Sequence, residues 1–368
     1  MKKIKLPRLR IGDLEPELPI IQGGMSVGIS LSGLASAVAN EGAIGVIGAA
    51  SIGMLEPDFD KNYRKANRRA LRREIRKARE KTDGIIGVNI MVALTDFEDM
   101  VKVAVEEEVD LIFLGAGLLL KCPRTLLSGE TRNLRTKIIP IVSSARAARI
   151  IFNSWAKRHG DVPDAVVVEG PKAGGHLGFK KEQLDDPEFA LEKIVPEVIA
   201  VMKKFEDRFD KEIPVIAAGG IFTGADMLKF FRLGASGVQM ATRFVATHEC
   251  DASIEFKKAY INCKKEDIII IDSPVGLPGR AIKNEFLEAV SAGKKMPFKC
   301  HWKCLKTCDY RKAPYCIDLA LTNAKKGNLK EGFAFAGTNA YRVDKIVSVK
   351  ELIATLLKEY EEALNARS

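Results

Sequence analysis

Residues 165–179 read AVVVEGPKAGGHLGF, and this stretch decides how the chain is interpreted. Ala165 to Val168 is a short apolar run with β-branched residues, which is typical of a strand buried on both faces of a parallel sheet. The following loop carries Glu169, two glycines at 174–175, and His176. Paired glycines let a ligand approach the backbone, and a histidine beside them can move protons near neutral pH. Taken alone, the same residues could equally form a turn with a hydrogen-bonded histidine.

Short apolar strands alternate with helical segments through the first two thirds of the chain. The predicted strands are Pro19 to Gln22, Ile44 to Ile47, Ile85 to Ile90, Asp110 to Leu114, Ile138 to Val142, Ala165 to Val168, Pro214 to Ala217 and Gly237 to Met240. The predicted helices lie near Leu31 to Glu41, Asp60 to Lys81, Asp96 to Glu107, Ala145 to Arg158, Leu191 to Phe209 and Gly224 to Leu233, whereas Leu120 to Arg135 has no clear pattern.

Eight strands with intervening helices predict an α/β fold, a (β/α)8 TIM barrel. A doubly wound open sheet is the alternative, but the first strand ends in QGGM at 22–25 and lacks the expected GxGxxG turn. In a barrel the active site lies at the carboxyl ends of the strands, and the loops after strands seven and eight bind phosphate. Gly219, Gly220 and Thr242 fall in those two loops, so we expect a phosphate site there.

The sequence pattern changes after the eighth strand. A strand-like run, DIIIID at 267–272, is followed by a segment rich in proline and glycine, a helical stretch, a group of cysteines and a closing amphipathic helix. We therefore predict three units: a cofactor-binding barrel at 1–248, an appended cysteine-rich subdomain at 249–345, and a C-terminal helix at 346–368 that packs back on the barrel.

Composition and charge restrict the class of protein. Hydrophobic residues make up 46% of the 368 residues, which is enough for a large core. We find no apolar run of 18 or more residues and no secretory signal, so we expect a cytoplasmic protein without a membrane span. The formal net charge is +10, and residues 61–81 contain eleven Lys or Arg and two Glu. This predicts an amphipathic helix with a basic face that is either simply solvated or a docking surface for an acidic partner such as acyl carrier protein. We find no nucleic-acid-binding motif.

Four of the seven cysteines are clustered. Cys300, Cys304, Cys308 and Cys316 have the spacing CxxxCxxxCx7C. Four thiolates can hold an iron-sulfur cluster or a tetrahedral zinc ion. The wide spacing favours a 4Fe-4S cluster over zinc. The third possibility is that the four thiols bind no metal. His301 lies inside the motif and could tune the metal or replace one cysteine.

Several motifs together resemble the FMN-dependent family that contains the nitronate monooxygenases (2-nitropropane dioxygenases) and the flavoprotein enoyl-ACP reductases. These motifs are PIIQGGM at 19–25, GVNIM at 87–91, AGGH at 173–176, AAGGI at 217–221 and GVQMATRF at 237–244. SPVGLPGRAI at 273–282, the cysteine run and NAYRVDKIVSVKELI at 339–353 are most similar to a branch of fatty-acyl-ACP dehydrogenases and isomerases that carries a 4Fe-4S cluster.

The resemblance implies FMN as the cofactor, a 4Fe-4S cluster on the four cysteines, and His176 as the catalytic residue. The FMN contacts that it implies are Gly23, Gly24, Met25, Asn89, Glu169, Gly174, Gly219, Gly220, Gln239, Met240, Ala241 and Thr242. Two positions depart from many relatives, which have Gln in place of Glu169 and Gly in place of Ala241. Glu169 would place negative charge near the flavin.

The resemblance leads to a mechanistic hypothesis for an acyl thioester such as acyl-ACP. His176 would remove the α-proton while FMN takes the β-hydride, and the same histidine could then shuttle a proton to isomerise the product. Two alternatives remain open: a nitronate monooxygenase that uses oxygen, and an enoyl-ACP reductase that uses NAD(P)H. A homodimer is one assembly that the sequence leaves open.

Overall fold

Eight parallel strands close almost completely into a barrel. The computed structural model of the chain describes residues 5–123, 135–296, 298–300 and 302–366. The barrel strands, as described there, are β1 (Ile20–Gln22), β2 (Gly45–Gly48), β3 (Ile86–Met91), β4 (Leu111–Gly115), β5 (Lys137–Val142), β6 (Val166–Glu169), β8 (Val215–Ala218) and β9 (Gly237–Met240). Their order is β1-β9-β8-β6-β5-β4-β3-β2, and a bridge between Ile21 and Ile44 joins the two ends. The predicted TIM barrel is therefore confirmed.

Helices alternate with the barrel strands and cover the outside of the barrel, and further helices come after the last barrel strand. Those within the described residues are α1 (Ser32–Asn40), α2 (Tyr63–Arg79), α3 (Phe97–Glu106), α4 (Ala145–His159), α5 (Leu191–Phe209), α6 (Gly224–Arg232), α7 (Thr242–Val245), α8 (Ile254–Asn262), α9 (Glu285–Ser291), α10 (Ile317–Lys325) and α11 (Val349–Asn365). Most of the predicted segment from Leu120 to Arg135 lies outside the described residues. No helix in the described part of the chain is both long and apolar enough to cross a membrane.

Side chains along each barrel strand point alternately into and out of the barrel, so the hydrophobic core has one part inside the barrel and one part between the strands and the helices. In β6, Val167 belongs to a cluster inside the barrel, whereas Val166 and Val168 pack outward against the helices. Side chains of a strand point alternately to opposite faces, so the position after Val168 points into the barrel. Glu169 occupies that position, at the carboxyl end of the strand.

Side-chain caps set where several helices begin. Asn62 accepts a hydrogen bond from the amide of Lys65 at 3.1 Å, so α2 begins at Tyr63 and not at the predicted Asp60. Ser144 accepts from the amide of Ala147 at 3.2 Å and starts α4. Such caps fix the strand-to-helix connections that form the rim of the barrel.

The segment after β9 folds over the mouth of the barrel. It contributes β10 (Ile268–Asp272) and β11 (Pro278–Ile282), an antiparallel pair that is extended by β7 (Gly175–His176) from the loop after β6. We predicted neither β7 nor β11, because the two strands pair across about a hundred residues and neither has a strand pattern of its own.

The C-terminal helix α11 packs closely on α6. A Cβ atom built on Gly224, the first residue of α6, would lie 2.2 Å from the backbone oxygen of Leu356. The amide of Gly224 donates to the carboxylate of Glu359 at 2.8 Å, and Arg243 also pairs with Glu359. The division into units at residues 248 and 345 stays a prediction.

Candidate functional site

One cavity at the carboxyl ends of the strands collects nearly all of the predicted site residues. The predicted residues on its wall are Gly23, Gly24, Met25, Glu169, Gly174, His176, Gly219, Gly220, Gln239, Met240, Ala241 and Thr242. Asn89 is not on the wall but lies directly behind Gly24, whose added Cβ atom would be 2.4 Å from the Cβ atom of Asn89. Only glycine fits at position 24, because nothing larger leaves room for Asn89. The individual roles of these residues stay predictions.

A layer of polar side chains closes the barrel interior beneath the cavity. Asn89, Glu169 and Gln239 each occupy a strand position whose neighbours pack outward, so all three point inward. Burial raises the pKa of Glu169 from 4.5 to about 7. Near neutral pH this carboxyl group is therefore neutral for part of the time, and it can then donate a hydrogen bond as a glutamine would.

His176 is held at the edge of the cavity by the appended segment. Its strand β7 pairs with β11 through Gly279, and its ring lies edge-on to Phe335 with ring centroids 5.0 Å apart. Its Nε2 atom lies 2.7 Å from the hydroxyl oxygen of Ser273. Burial lowers the pKa of His176 from 6.5 to about 4, so the ring is neutral at physiological pH and can accept a proton.

Arg280 of β11 holds the loop that leads to His176. Its Nη1 atom donates to the backbone oxygens of Pro171 and Ala173, both at 2.6 Å, and the side chain is buried. Sequence reasoning missed both Arg280 and Ser273. Both lie in SPVGLPGRAI, a motif noted only for its resemblance, and nothing local indicates that it folds against the loop after β6.

The expected phosphate loop has two successive glycines in a backbone conformation that other residues rarely adopt. Gly219 and Gly220 have φ angles of +92° and +84°, a region that side chains disfavour. The side-chain amide of Asn339 donates to the backbone oxygen of Gly220 at 2.8 Å. A Cβ atom on Gly337 would lie 2.8 Å from the hydroxyl oxygen of Thr242. Residues 337–339 of the appended segment therefore pack directly against both predicted phosphate loops.

A buried hydroxyl beside these loops has no partner. Within the described part of the chain, the Oγ1 atom of Thr338 makes no hydrogen bond although it is buried. Unpaired buried polar atoms are costly and usually indicate a missing ligand or water. The glycine backbone and the polar layer fit a flat cofactor with a phosphate group, and the unpaired hydroxyl of Thr338 lies beside the loops that would hold that phosphate.

The start of α6 does not contribute to this anion site. The amide of Gly224, its first residue, is already bound to Glu359, and the side chain of Asp226 accepts from the amides of Phe222 and Thr223. The predicted phosphate site is therefore limited to the loop that contains Gly219 and Gly220 and to the region of Thr242.

The segment that carries the four clustered cysteines (residues 300–316, the cysteine segment) contributes to the cavity wall. The amide of Thr95 donates to the backbone oxygen of Cys304 at 2.9 Å, and Leu94 forms an isolated bridge with Leu305. This attaches the segment to the loop after β3. The apolar side chains that these elements and α10 contribute to the cavity are Leu94, Leu305, Ile317 and Leu321.

The four cysteines are not arranged as a ligand set. Cys304 is buried and the other three are half-buried, all as free thiols. No three His, Cys, Asp or Glu side chains among the described residues are placed to hold a metal ion. His301, the additional candidate ligand, lies outside the described residues. The iron-sulfur cluster therefore stays a prediction from the cysteine spacing.

The basic helix α2 is largely neutralised by its surroundings. The carboxylates outside the helix that form ion pairs with it are Glu56, Asp58, Asp99, Glu106, Glu107 and Asp110. Near its N-terminus the balance is weaker, because Arg64 and Arg68 share Asp99, each at 3.9 Å. Most of the helix is thus a solvated, ion-paired face, and the excess positive charge lies at the end near the cysteine segment.

Comparison with known proteins gives a consistent result. A family model described as nitronate monooxygenase matches residues 10–115 and 101–359. A probable nitronate monooxygenase of Staphylococcus aureus (strain Newman) is 30% identical, over 76% of this chain and 79% of its own length. A (3aS,4S,5R,7aS)-5-hydroxy-7a-methyl-1-oxo-octahydro-1H-indene-4-carboxyl-CoA dehydrogenase of Mycobacterium tuberculosis is 26% identical, over 76% of this chain and 67% of its own length.

Solved structures agree with the fold and extend over almost the whole chain. FabK from Thermotoga maritima is 30% identical, has a TM-score of 0.73, and covers 96% of this chain and 95% of its own. A nitroalkane oxidase from Streptomyces ansochromogenes has a TM-score of 0.71 at 21% identity, covering 96% of this chain and 98% of its own, and supports the fold alone.

Proposed function

This chain belongs to the nitronate monooxygenase family, and on that premise we propose that it is an FMN-dependent oxidoreductase that dehydrogenates an acyl thioester. The family is FMN-dependent. The observation that carries the proposal is the composition of the cavity: His176, neutral at physiological pH, lines the same cavity as a group of apolar side chains supplied mainly by the appended segment. Such a wall suits an acyl chain, and a neutral imidazole suits removal of a proton beside a carbonyl group.

The residues around the cavity would hold FMN in a defined orientation. Gly219, Gly220 and Thr242 would receive the phosphate, with Thr338 as an additional donor. The remaining proposed contacts are Gly23, Gly24, Met25, Asn89, Glu169, Gly174, Gln239, Met240 and Ala241. When bound, FMN supplies a hydride acceptor next to the acyl chain.

His176 would perform the proton transfers. It takes the proton from the α-carbon of the thioester, and the carbon-carbon double bond forms as hydride leaves the β-carbon. Because burial disfavours its charged form, His176 gives the proton back readily. Once His176 has released that proton, it could remove a γ-proton from the enoyl product and return it at the α-carbon, which would shift the double bond; we therefore propose a second, isomerase activity at the same site.

An acidic acyl carrier protein is the proposed carrier of the thioester. Arg64 and Arg68 lie at the end of α2 that adjoins the loop after β3, where Arg64 donates to the backbone oxygen of Thr95 at 3.3 Å. Thr95 in turn contacts the cysteine segment. The excess positive charge is therefore next to the cavity wall, where a docked carrier would deliver its acyl group.

We also propose a 4Fe-4S cluster on Cys300, Cys304, Cys308 and Cys316, supported by their spacing. The test is the iron and acid-labile sulfide content of protein purified without oxygen. Cys304→Ser should abolish it, whereas Cys263→Ser, a cysteine outside the run, should retain it. Wild-type protein without iron would overturn the cluster and leave the flavin chemistry intact.

Two other activities have specific support. The Staphylococcus relative and the family model favour oxidation of nitronates. The FabK structure favours reduction of an enoyl thioester. The named dehydrogenase of Mycobacterium favours the proposed direction, since its substrate is a carboxyl-CoA thioester.

One experiment separates the three activities. FMN-loaded protein is mixed without oxygen with a saturated acyl-ACP, an alkyl nitronate or NADPH, and the flavin absorbance is followed. We expect acyl-ACP to bleach the flavin. Bleaching by NADPH or by the nitronate, without bleaching by acyl-ACP, would overturn the proposal in favour of the corresponding alternative.

A further inference from the structure

The turn between β10 and β11 carries a serine that touches the proposed base. Ser273 is 6% exposed, and its hydroxyl oxygen lies 2.7 Å from the Nε2 atom of His176. The turn itself holds this serine in place, because its amide donates to the backbone oxygen of Leu277 at 3.1 Å. The amide of Val275 approaches the same hydroxyl oxygen at 3.4 Å.

Among the described residues, one ring nitrogen of His176 has a hydrogen-bond partner and the other has none. Nε2 faces Ser273, while Nδ1 makes no hydrogen bond to any described residue. Phe335 packs edge-on against the ring, at an interplanar angle of 65°. The ring is thus fixed from two sides by the appended segment, and Nδ1 is the ring nitrogen without a hydrogen-bond partner among the residues that the structure describes.

We propose that Ser273 is a positioning residue that accepts the Nε2 hydrogen of His176, so that proton transfer occurs through Nδ1. This inference rests on the proposed function, in which His176 is the base. In the neutral ring Nε2 then carries the hydrogen, and the lone pair is on Nδ1. The bond between the α-carbon and its proton would break and a bond from Nδ1 to that proton would form. The electron pair left on the α-carbon would become the double bond as the β-carbon loses hydride, for which bound FMN would supply the acceptor.

The serine hydroxyl serves the ring in both protonation states. In the imidazolium form Nε2 still carries a hydrogen, and the Ser273 oxygen still accepts it. An alanine would leave this hydrogen buried without a partner in the charged form, which would slow proton uptake. A threonine keeps the hydroxyl and should preserve the function.

The first test reads the position of the proton directly. Protein labelled with 15N in its four histidines is examined as isolated by long-range 1H-15N correlation, and His176→Gln assigns the His176 signals. We expect an unprotonated Nδ1 and a protonated Nε2 in the wild type and in Ser273→Thr. In Ser273→Ala we expect a mixture of the two tautomers. The reverse tautomer in the wild type, or a Ser273→Ala spectrum identical to that of the wild type, would overturn the proposal.

The second test is kinetic and uses the FMN-loaded enzyme. Ser273→Ala should lower kcat about 10- to 100-fold with little change in KM, because misplacement of a reacting group affects the chemical step. Ser273→Thr should restore kcat to within a few-fold. The matched control is Ser253→Ala, at a residue that does not line the cavity; its hydroxyl oxygen caps α8 by accepting from the amide of Phe256 at 3.2 Å. An equal loss of kcat in Ser253→Ala and Ser273→Ala would overturn the assignment.

The two tests distinguish this inference from the proposed function. The spectrum is recorded without substrate. If the wild type shows the predicted tautomer but does not oxidise acyl thioesters, the result supports the positioning role of Ser273 and contradicts only the proposed dehydrogenase activity. The reverse tautomer in a protein that oxidises acyl thioesters contradicts only the role of Ser273. If Ser273→Ala does not fold, the wild-type and Ser273→Thr spectra still decide.

Discussion

The Nη1 atom of Arg280 lies 2.6 Å from the backbone oxygen of Ala173, two residues before the glycine that begins β7. A strand of the appended segment thereby fixes the loop that carries the proposed base. The cavity is thus assembled from both parts of the chain, and neither part holds the site alone.

Removing this guanidinium should destabilise the protein. Arg280→Met leaves the backbone oxygens of Pro171 and Ala173 without this donor, and we expect a loss on the order of 2–4 kcal/mol of unfolding free energy. Chemical denaturation measures it. Arg208→Met, at an exposed position of α5, is the control and should change little. Equal stability of the two variants would show that Arg280 does not hold the loop.

The unpaired hydroxyl of Thr338 predicts opposite effects on stability and cofactor binding. In the FMN-free protein, Thr338→Val should raise the melting temperature, since a buried hydroxyl without a partner is removed. The same variant should bind FMN about tenfold more weakly by fluorescence titration. Thr247→Val is the matched contrast, because that hydroxyl donates to the backbone oxygen of Phe244 at 2.8 Å and its loss should lower the melting temperature. Unchanged FMN affinity in Thr338→Val would remove Thr338 from the cofactor site.

Much of the barrel could be predicted from sequence because each strand carries its own pattern. Val166 to Val168 is a β-branched run, and the glycines at 219–220 mark a loop with unusual backbone angles. The order of the strands then placed these loops at one end of the barrel, and His176 and all the predicted FMN contacts except Asn89 line one cavity there. These are local signals combined with one topological rule.

The parts that escaped prediction depend on contacts between distant segments. Ser273 is 97 residues from His176 in sequence, and β7 is a strand only because β11 supplies its partner. The pairing of the charges on α2 also depends on distant segments, since carboxylates such as Glu107 on neighbouring elements balance most of its positive charge. The amino-acid composition of a segment gives its net charge, but it does not show which of its charged side chains form ion pairs with other segments.

Glu169 predicts a specific dependence of stability on pH. Its pKa is raised from 4.5 to about 7, so between these values the unfolded chain has released the proton while the folded protein retains it. Stability therefore falls as the pH rises through this interval. Glu169→Gln does not titrate, and its melting temperature minus that of the wild type should increase between pH 5 and pH 8 in the FMN-free protein.

The titration of His176 does not affect the difference in melting temperature between Glu169→Gln and the wild type. The lowered pKa of His176 makes stability fall as the pH decreases from 6.5 towards 4, the opposite direction, and this contribution is present in both proteins. A difference in melting temperature that is constant with pH would contradict the raised pKa of Glu169.

Charge reversal at the end of α2 tests the carrier proposal. The double variant Arg64→Glu, Arg68→Glu should raise the KM for acyl-ACP on the order of tenfold at low salt, because rim charges steer association. The effect should shrink as salt is added. The control is Lys203→Glu, Lys204→Glu on the exposed face of α5. The same increase in both double variants would indicate a general charge effect and would contradict docking at α2.

The central claim is that His176 removes the α-proton of an acyl thioester. The most direct measurement is the rate of flavin bleaching after anaerobic mixing with acyl-ACP, in wild-type protein and in His176→Gln at equal FMN content. His248→Gln, at an exposed position, is the control. The account predicts that His176→Gln bleaches roughly 10²- to 10⁴-fold more slowly, whereas His248→Gln matches the wild type. Bleaching by His176→Gln within a few-fold of the wild-type rate would contradict it.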